Sequence, residues 1–333
     1  MMKVLVTGSS GHLGSGLVKH LRDKGVDVVS IDIKEGEGTD YVVSILDSTT
    51  LRKIMEGVDT VVHTATLHKP HVATHAYSEF VDVNIKGTLN LLQISSELAV
   101  KSFVFTSTTS TFGDALVPER GKPSERIDEK TKIIPKNIYG VTKVSAEDLC
   151  RIFSRNHDLP CVVLRLSRFF QEEDDSPLAR DLYNSDNLKC NEFLHRRVDI
   201  QDAVDAVVLA IEKAPKIKFS RLVISATTPF KNEDLEALRL DAKSVVSKHY
   251  PQLERIYESK GWKMYKSIDR VYFNDKARQV LGWRPKYNFA YVLNCIDSGL
   301  DYRSPLARYI GSKGYHEIDF WMGHIRLVTR NQT

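Results

Sequence analysis

An α/β fold, with a doubly wound parallel sheet and a smaller C-terminal α/β lobe, is predicted by three features of the chain. Short apolar runs alternate with stretches of helical periodicity through the first half. A glycine-rich turn joins the first apolar run to the first periodic stretch. After about Phe170 the alternation gives way to shorter, more polar pieces. Strand–helix alternation of this kind lays helices on both faces of a parallel sheet.

Taken in order, Lys3–Thr7 is the first strand and His12–Lys24 the first helix. Val26–Asp32 is a second strand, and Tyr41–Leu46, Thr60–Thr66 and Ser102–Thr106 are further buried strands. The longest helical stretch between them is Ser78–Val100. "NIYGVTK", Asn137–Lys143, reads as a helix start, and Pro160 introduces a sixth strand, Cys161–Leu166. "QEEDDSP" follows, and its Glu172–Asp175 run is expected to be a solvated turn. Beyond it Asp202–Lys213 and Asn232–His249 are helical, and Leu222–Ala226 is strand-like. Residues 1–166 are the expected cofactor domain, with residues of about 198–227 returning to it. Residues 167–330 are the expected substrate lobe, and Thr329–Thr333 read as a frayed end.

Composition excludes several classes of function. Forty-seven basic against 43 acidic residues in 333 leave a formal charge of +4, spread along the chain. No dense basic block interleaved with aromatics points to nucleic acid. No apolar run reaches the ~20 residues of a membrane span, and no leader segment is read at the N-terminus. Cys150, Cys161, Cys190 and Cys295 are scattered without metal spacing, as reduced thiols of a cytoplasmic protein would be. His68, His71 and His75 would share a face if helical, but no carboxylate or cysteine follows at ligand spacing. A substrate-facing loop is the preferred reading there, and no metal is expected.

"VLVTGSSGHLGSGLV" sets Gly8, Gly11 and Gly14 between a strand and a helix. The first glycine makes the tight turn, the second admits a diphosphate, and the third lets helix and strand approach. The helix N-terminus then faces the negative charge. Asp32 ends the second strand, where an acid accepts hydrogen bonds from ribose hydroxyls and repels a 2′-phosphate. This is a Rossmann arrangement that favours NAD over NADP, although Lys34 stands close by.

Tyr139 and Lys143 lie four positions apart, on one helix face. A nicotinamide fold needs a group to move the proton that accompanies hydride. Tyr139 serves if its pKa, ~10 when unperturbed, falls toward neutrality, and an ammonium at Lys143 is placed to cause that fall. "FVFTSTTSTFG" supplies hydroxyls at the end of the fifth strand, the edge where such sheets bind ligands.

At this point the sequence resembles the extended short-chain dehydrogenases/reductases, in particular the NAD-dependent epimerase/dehydratase family. The resemblance is carried by Thr7–Gly14, Asp32, "DTVVHTAT" at Asp59–Thr66, "VNIKGTLNLL" at Val83–Leu92, the hydroxyl-rich strand end, and Tyr139 with Lys143. It implies Thr108 in the catalytic serine/threonine place, with Ser107, Thr109 and Ser110 as alternatives, Tyr139 as acid/base and Lys143 as its partner. It implies a cofactor lined by Ser10, His12, Leu13, Leu46, Thr64, Ala65, Thr66, Asn84 and Thr106, with Asp47 meeting the adenine amino group. It also implies a homodimer formed through Ser78–Val100 and the helix after Tyr139.

Departures bear on the substrate. UDP-galactose 4-epimerases, close in pattern, usually carry tyrosine where this chain has Phe112 and asparagine where it has Arg168. Thr109 and Ser110 stand where the family's dehydratases have an acidic pair, which disfavours sugar dehydration. Thr109 and three arginines, Arg168, Arg197 and Arg270, are the candidate substrate contacts; if the arginines converge, the ligand is anionic. The expected function is an NAD-dependent sugar-nucleotide epimerase-like oxidoreductase. Its rivals are a one-way carbonyl reductase or alcohol dehydrogenase on a non-nucleotide substrate, and a non-catalytic dinucleotide sensor, which the intact Tyr/Lys pair disfavours.

Overall fold

The computed structural model describes residues 2–174, 176–313, 319–321 and 324–326. The first half runs β1 (Lys3–Thr7), α1 (His12–Asp23), β2 (Asp27–Asp32), β3 (Tyr41–Val42), α2 (Ser48–Ile54), β4 (Thr60–His63), α3 (Tyr77–Phe80), α4 (Gly87–Glu97) and β5 (Ser102–Thr108). Then come β6 (Glu125–Ile127), α5 (Ile138–Asn156), β7 (Cys161–Leu166), α6 (Pro177–Leu182), α7 (Ser185–Glu192), α8 (Ile200–Ile217) and β8 (Phe219–Ile224). The remainder is α9 (Leu235–Leu240), α10 (Ala242–His249), α11 (Leu253–Lys260), β9 (Arg270–Tyr272), α12 (Asp275–Leu281), α13 (Phe289–Asp297), α14 (Pro305–Ile310), β10 (Asp319–Trp321) and β11 (His324–Arg326).

Seven strands form one parallel sheet in the order β3-β2-β1-β4-β5-β7-β8. The order reverses between β1 and β4, so a crevice opens there at the carboxyl ends of the strands. The pleat sends alternate residues to opposite faces. Val4 and Val6 therefore pack with Leu13, Leu17, Val204 and Val207 under α1 and α8. Leu5 turns the other way and packs with Leu51, Leu91, Ala146 and Phe153 under α2, α4 and α5. Fully burying each such side chain stabilises the fold by about 1.5–3 kcal/mol. A separate cluster of Leu194, Leu238, Val246, Ile256 and Phe289 holds the later helices together. The parallel ribbon of β6 and β9 stands apart from the main sheet.

Some elements differ from expectation for local reasons. Only Tyr41–Val42 of the expected Tyr41–Leu46 strand is extended, as an exposed edge with one neighbour. Ser78–Val100 is not one regular helix. It is interrupted by a π-helical turn at Val81–Lys86 that carries the buried Asn84. Asn232–His249 divides at Asp241, whose carboxylate accepts from Ser244 N at 3.1 Å and caps α10. Gly282, left-handed at φ 65°, ends α12. Glu172 and Asp174 are buried, against the expectation of a solvated turn. Asp175 and Thr329–Thr333 lie outside the described residues.

Beside β8, the sheet edge is covered. Glu129 Oε1 accepts from Val223 N at 2.7 Å, and Lys276 Nζ donates to Arg221 O at 3.0 Å. An edge strand with its amides and carbonyls engaged in this way is closed to further pairing. Among the described residues no helix is long and apolar enough to cross a membrane.

Candidate active site

The carboxyl ends of β1, β4 and β5 are neighbours in the sheet, with Thr7 beside His63 and His63 beside Phe105. β1 leads into the glycine turn. Gly8 has φ 74°, and a Cβ there would lie 2.6 Å from Ala65 N. A Cβ on Gly14 would lie 1.9 Å from Gly8 O. Neither position admits a side chain, so the turn and α1 pack directly on the loop after β4. Gly11 N donates to Gly8 O at 3.1 Å and Gly11 is the N-cap of α1. That helix starts with no capping side chain and no acid in its first turn, the condition of an N-terminus suited to a phosphate. Leu13 is buried beneath it.

Asp32 is held by backbone. Its Oδ2 accepts from Ser10 N at 3.0 Å and its Oδ1 from Lys34 N at 3.0 Å, which fixes the carboxylate beside the turn. Ser10 Oγ donates to Lys34 O at 2.9 Å. The half-buried Leu46 precedes Asp47, an exposed residue that caps α2 by accepting from Thr50 N at 3.0 Å. This bond to Thr50 holds the Asp47 carboxyl below its ordinary range. The uncapped helix end, the glycine cradle and the pinned acid together fit a dinucleotide.

Behind the crevice runs a buried hydrogen-bond chain that the sequence reading did not single out. Ala65 N donates to Thr7 Oγ1 at 3.2 Å, and Thr7 Oγ1 lies 2.8 Å from His63 Nδ1. His63 Nε2 lies 3.0 Å from Thr88 Oγ1, which donates to Asn84 O at 2.7 Å. Thr88 therefore accepts from Nε2–H, and Nδ1 accepts from the Thr7 hydroxyl. This is the neutral imidazole. Burial, and then the Lys143 charge, push the His63 pKa well below its ordinary value, in agreement. Asn84 is satisfied on both sides: Oδ1 accepts from Leu67 N at 2.8 Å and Thr66 Oγ1 at 2.9 Å. Its Nδ2 donates to Leu67 O at 2.9 Å and Thr142 Oγ1 at 3.0 Å, tying the loop after β4 to α5. Thr64 Oγ1 donates to Thr7 O at 2.6 Å.

α5 begins where the sequence places it. Asn137 Oδ1 accepts from Gly140 N at 3.0 Å, a side-chain cap that fixes the first turn. Tyr139, Lys143 and Glu147 follow at four-residue spacing and all three are buried. The Thr108 side chain acts on the Tyr139 phenol in the direction that favours its ionised form. Lys143 Nζ donates to Thr106 O at 2.7 Å and sits 4.0 Å from the centroid of the Phe105 ring. Ser107 Oγ donates to Glu147 Oε1 at 2.7 Å, so that hydroxyl is already committed. Thr108 Oγ1 also accepts from Ser110 N at 3.0 Å, while the buried Thr109 opens the turn that follows.

The charge state differs from expectation. Burial pushes the Tyr139 phenol up to about 12, against the smaller opposing effect of Thr108. Burial pulls the Lys143 ammonium down to about 7, opposed by Glu147 and then Cys150. The phenol thus keeps its proton at neutral pH, because desolvation outweighs the opposing effect of Thr108.

The arginines also part from expectation. Arg168 and Arg197 sit opposite each other in an isolated bridge and do converge, but on carboxylates of the chain itself. Arg168 Nη1 lies 2.6 Å from Asp174 Oδ2, and Arg197 Nη1 donates to Glu192 Oε2 at 2.7 Å. Arg196 Nη2 is 2.8 Å from Glu192 Oε1. Burial alone would raise the Glu192 carboxyl. The guanidiniums of Arg196, Arg168 and Arg197 instead hold it at about 2. Arg270 stands on β9, where its carbonyl meets His195 Nδ1 at 3.0 Å. Glu172 reaches back to the glycine turn, with Oε1 2.9 Å from His12 Nε2. His68, His71 and His75 surround a short 3-10 turn with ring centroids 4.4 and 4.9 Å apart in sequence. His68 N donates to His71 Nδ1 at 3.0 Å, and burial takes the His71 pKa down to about 4.

A glycine turn at the switch point of a parallel sheet, with Thr108 at the end of β5 and the buried Tyr139 and Lys143 on α5, defines a dinucleotide-binding α/β protein of the short-chain dehydrogenase/reductase type. The profile of the NAD dependent epimerase/dehydratase family matches residues 4–222, and the chain belongs to that family. It is an NAD-dependent enzyme of the extended type. An uncharacterized UDP-glucose epimerase, YtcB, of Bacillus subtilis (strain 168) is 31% identical over 186 residues, 49% of this chain and 55% of that one. The match thus spans about half the length of that relative. A UDP-glucose 4-epimerase of Lactobacillus helveticus is 26% identical over 320 residues, 86% of this chain and 93% of the relative. The fold is shared with a short-chain dehydrogenase/reductase superfamily protein of Agrobacterium tumefaciens with bound NAD, at TM-score 0.62 and 21% identity over 92% of this chain and 99% of the other. It is shared equally with a UDP-glucose 4-epimerase of Thermotoga maritima, at TM-score 0.61 and 22% identity over 90% of this chain and all of the other.

Proposed function

We propose that the protein is a sugar-nucleotide epimerase-like oxidoreductase in which Thr108, Tyr139 and Lys143 act together on one substrate hydroxyl. The observation that carries this is the juxtaposition of Thr108, at the carboxyl end of β5, with the buried Tyr139 phenol on which its side chain acts, and Lys143 one turn further along α5. Gly8, Ser10, Gly11, His12, Leu13 and Gly14 would hold the NAD diphosphate, Asp32 the adenosine ribose, Leu46 and Asp47 the adenine. Thr64, Ala65, Thr66, Asn84 and Thr106 would border the nicotinamide half. Bound NAD supplies an acceptor and donor of hydride.

The chain's own residues do the rest. Tyr139 Oη holds a proton at rest and passes it to a substrate carbonyl oxygen, or receives one from a substrate hydroxyl. Thr108 Oγ1 orients that oxygen, and the Lys143 ammonium stabilises the phenolate left when the proton has gone. The similarity to UDP-glucose 4-epimerases supports a nucleotide-sugar substrate. Tyr139→Phe is expected to lower turnover by about 10²–10⁴-fold with UDP-sugars while NAD affinity is unchanged. A variant that keeps full turnover removes Tyr139 from the role.

One observation favours a second reading, a one-way oxidoreductase on a sugar without a nucleotide. Arg168 and Arg197 are already neutralised by Asp174 and Glu192, which weakens a diphosphate clamp. Net accumulation of reduced nicotinamide with free sugars, and none with UDP-sugars, would decide for it. A homodimer through α3, the turn after it and α5 is supported by the exposed Tyr77, Val81, Val141 and Ile152 on those elements. Light scattering on the purified chain tests it. The four free thiols support a cytoplasmic setting.

A further inference from the structure

Glu147 is the third member of the stripe that begins with Tyr139 and Lys143. At i, i+4 and i+8 these residues stand one above another on the face of α5 that meets β5. Two of them are hydrogen-bonded to the strand end, Lys143 to Thr106 O and Glu147 to Ser107 Oγ, and Tyr139 lies where the Thr108 side chain acts on it. The helix is thus registered against the strand at two consecutive residues, with Thr108 the next.

The Glu147 contact is the most heavily built. Glu147 has no exposed surface. Its Oε1 accepts from Ser107 Oγ at 2.7 Å and Arg165 Nε at 2.9 Å. Its Oε2 accepts from Arg165 Nη2 at 2.7 Å and Arg221 Nε at 2.8 Å. One carboxylate therefore joins α5 to β5, β7 and β8. Arg165 presents the two-pronged fork that fits a carboxylate, and Arg221 continues to Asp148 at 2.8 Å. A network of this size at a buried site does not serve stability alone, since an apolar replacement of equal volume often does as well.

We infer that Glu147 is a positioning residue for the reaction: it sets the register of α5 so that Tyr139 meets Thr108, and it keeps a cation at Lys143. The inference rests on the roles proposed for Tyr139 and Lys143. Its physical basis is that the buried ammonium has few other sources of support. From α5 it faces Glu147 and Cys150. From β4 it faces the neutral His63, and from β5 a carbonyl and the Phe105 ring. Glu147 is the nearest formal negative charge in this set. Behind it, Arg165 and Arg221 set how much of that charge Lys143 senses. Removing the carboxylate lowers the hold on the Lys143 proton, and removing Arg221 strengthens it.

The test uses the full-length protein labelled with ¹³Cε-lysine, with the Lys143 resonance assigned by its loss in Lys143→Met. Its titration is followed beside the pH profile of kcat/KM. In Glu147→Gln the Lys143 titration is expected to move down by about one pH unit, a tenfold loss of proton affinity. The alkaline limb of the rate should move the same way. In Arg221→Gln, half-exposed and peripheral, both are expected to move up. The opposite signs separate positioning from a merely structural role, which lowers rate or stability evenly across pH. If Glu147→Gln fails to fold, Arg221→Gln carries the test alone. An unmoved Lys143 titration in the folded variants overturns the inference. A moved titration with an unmoved rate profile supports the coupling and overturns instead the catalytic role of Lys143.

Discussion

Lys143 is the side chain on which residue-scale chemistry turns. Burial brings its proton affinity down to about 7, so the charged form prevails below that pH and is lost above it. A step that depends on the ammonium should therefore slow as pH rises through neutrality. Lys143→Arg replaces the group with a guanidinium that does not titrate in this range. We expect the variant to be slower overall, since the fork cannot reproduce the single bond to Thr106 O, yet to lose the alkaline fall between about pH 7 and 9. A pH–rate series on both proteins measures it. The Tyr/Lys spacing, the helix start at Asn137–Lys143 and the glycines were legible in the sequence because each is local. Glu147 and His63 were not, because their partners are 18 to 74 residues away; nor was the pairing of Arg168 and Arg197 with Asp174 and Glu192, six and five residues off, because no regular period encodes it. Arg165 meets Glu147 18 residues along, and Ala65 meets Thr7 58 residues back. The same limit explains the Tyr139 phenol. Spacing shows a lysine one turn away, but only the packed fold shows the desolvation that sets the charge state of the phenol.

At the scale of elements, the glycine turn and α1 form one packed unit, and two glycines of that helix answer to different causes. A Cβ on Gly14 would meet Gly8 O at 1.9 Å, a backbone atom that cannot swing aside. A Cβ on Gly16 would meet only side-chain carbons of Ile200, Leu306 and Ile310 at 3.5–3.7 Å, ordinary contacts. Gly14→Ala is thus expected to destabilise by about 1–3 kcal/mol or more and to weaken NAD binding. Gly16→Ala should gain up to about 1 kcal/mol from helix propensity and leave binding alone. Denaturant unfolding and an NAD titration distinguish them. The strands of the sheet were legible because a run buried on both faces is near-continuously apolar, as Val4–Val6 and Cys161–Leu164 are. The break in Ser78–Val100 was not, because periodicity continues through it. What opens the turn at Val81–Lys86 is the pairing of Asn84 with Leu67, Thr66 and Thr142, which sequence pattern does not encode.

Across the whole molecule, the sheet and the later helices are joined at Asp202 on α8. Asp202 Oδ1 accepts from Lys286 N at 2.8 Å and Oδ2 from Tyr287 N at 2.9 Å, while Trp283 Nε1 donates to Asp202 O at 3.0 Å. One residue thus anchors the segment between α12 and α13 to the helix that covers the sheet. Burial outweighs these two amides and lifts the Asp202 carboxyl to about 7. The consequence for stability has a definite sign. The folded state holds this proton more tightly than the unfolded chain, where the carboxyl titrates near 3.8. Its favourable contribution is complete below about pH 4 and is lost as pH rises to 7, by up to about 4 kcal/mol. Glu172 and Glu192, held at about 2, act oppositely, but their contribution changes mostly below pH 5. His63, His71 and His195, with lowered proton affinities, also change stability between pH 5 and 7, so Asp202 is isolated only by the difference between the wild type and a variant at that position. In Asp202→Asn the amide cannot ionise and retains one acceptor for the two backbone donors. We expect the variant to be the less stable protein near pH 5 and to close that gap as pH approaches 7. Unfolding of both proteins across that window measures the difference. A gap that does not change with pH would mean that Asp202 is ionised throughout and that its two amides, not its burial, decide its charge.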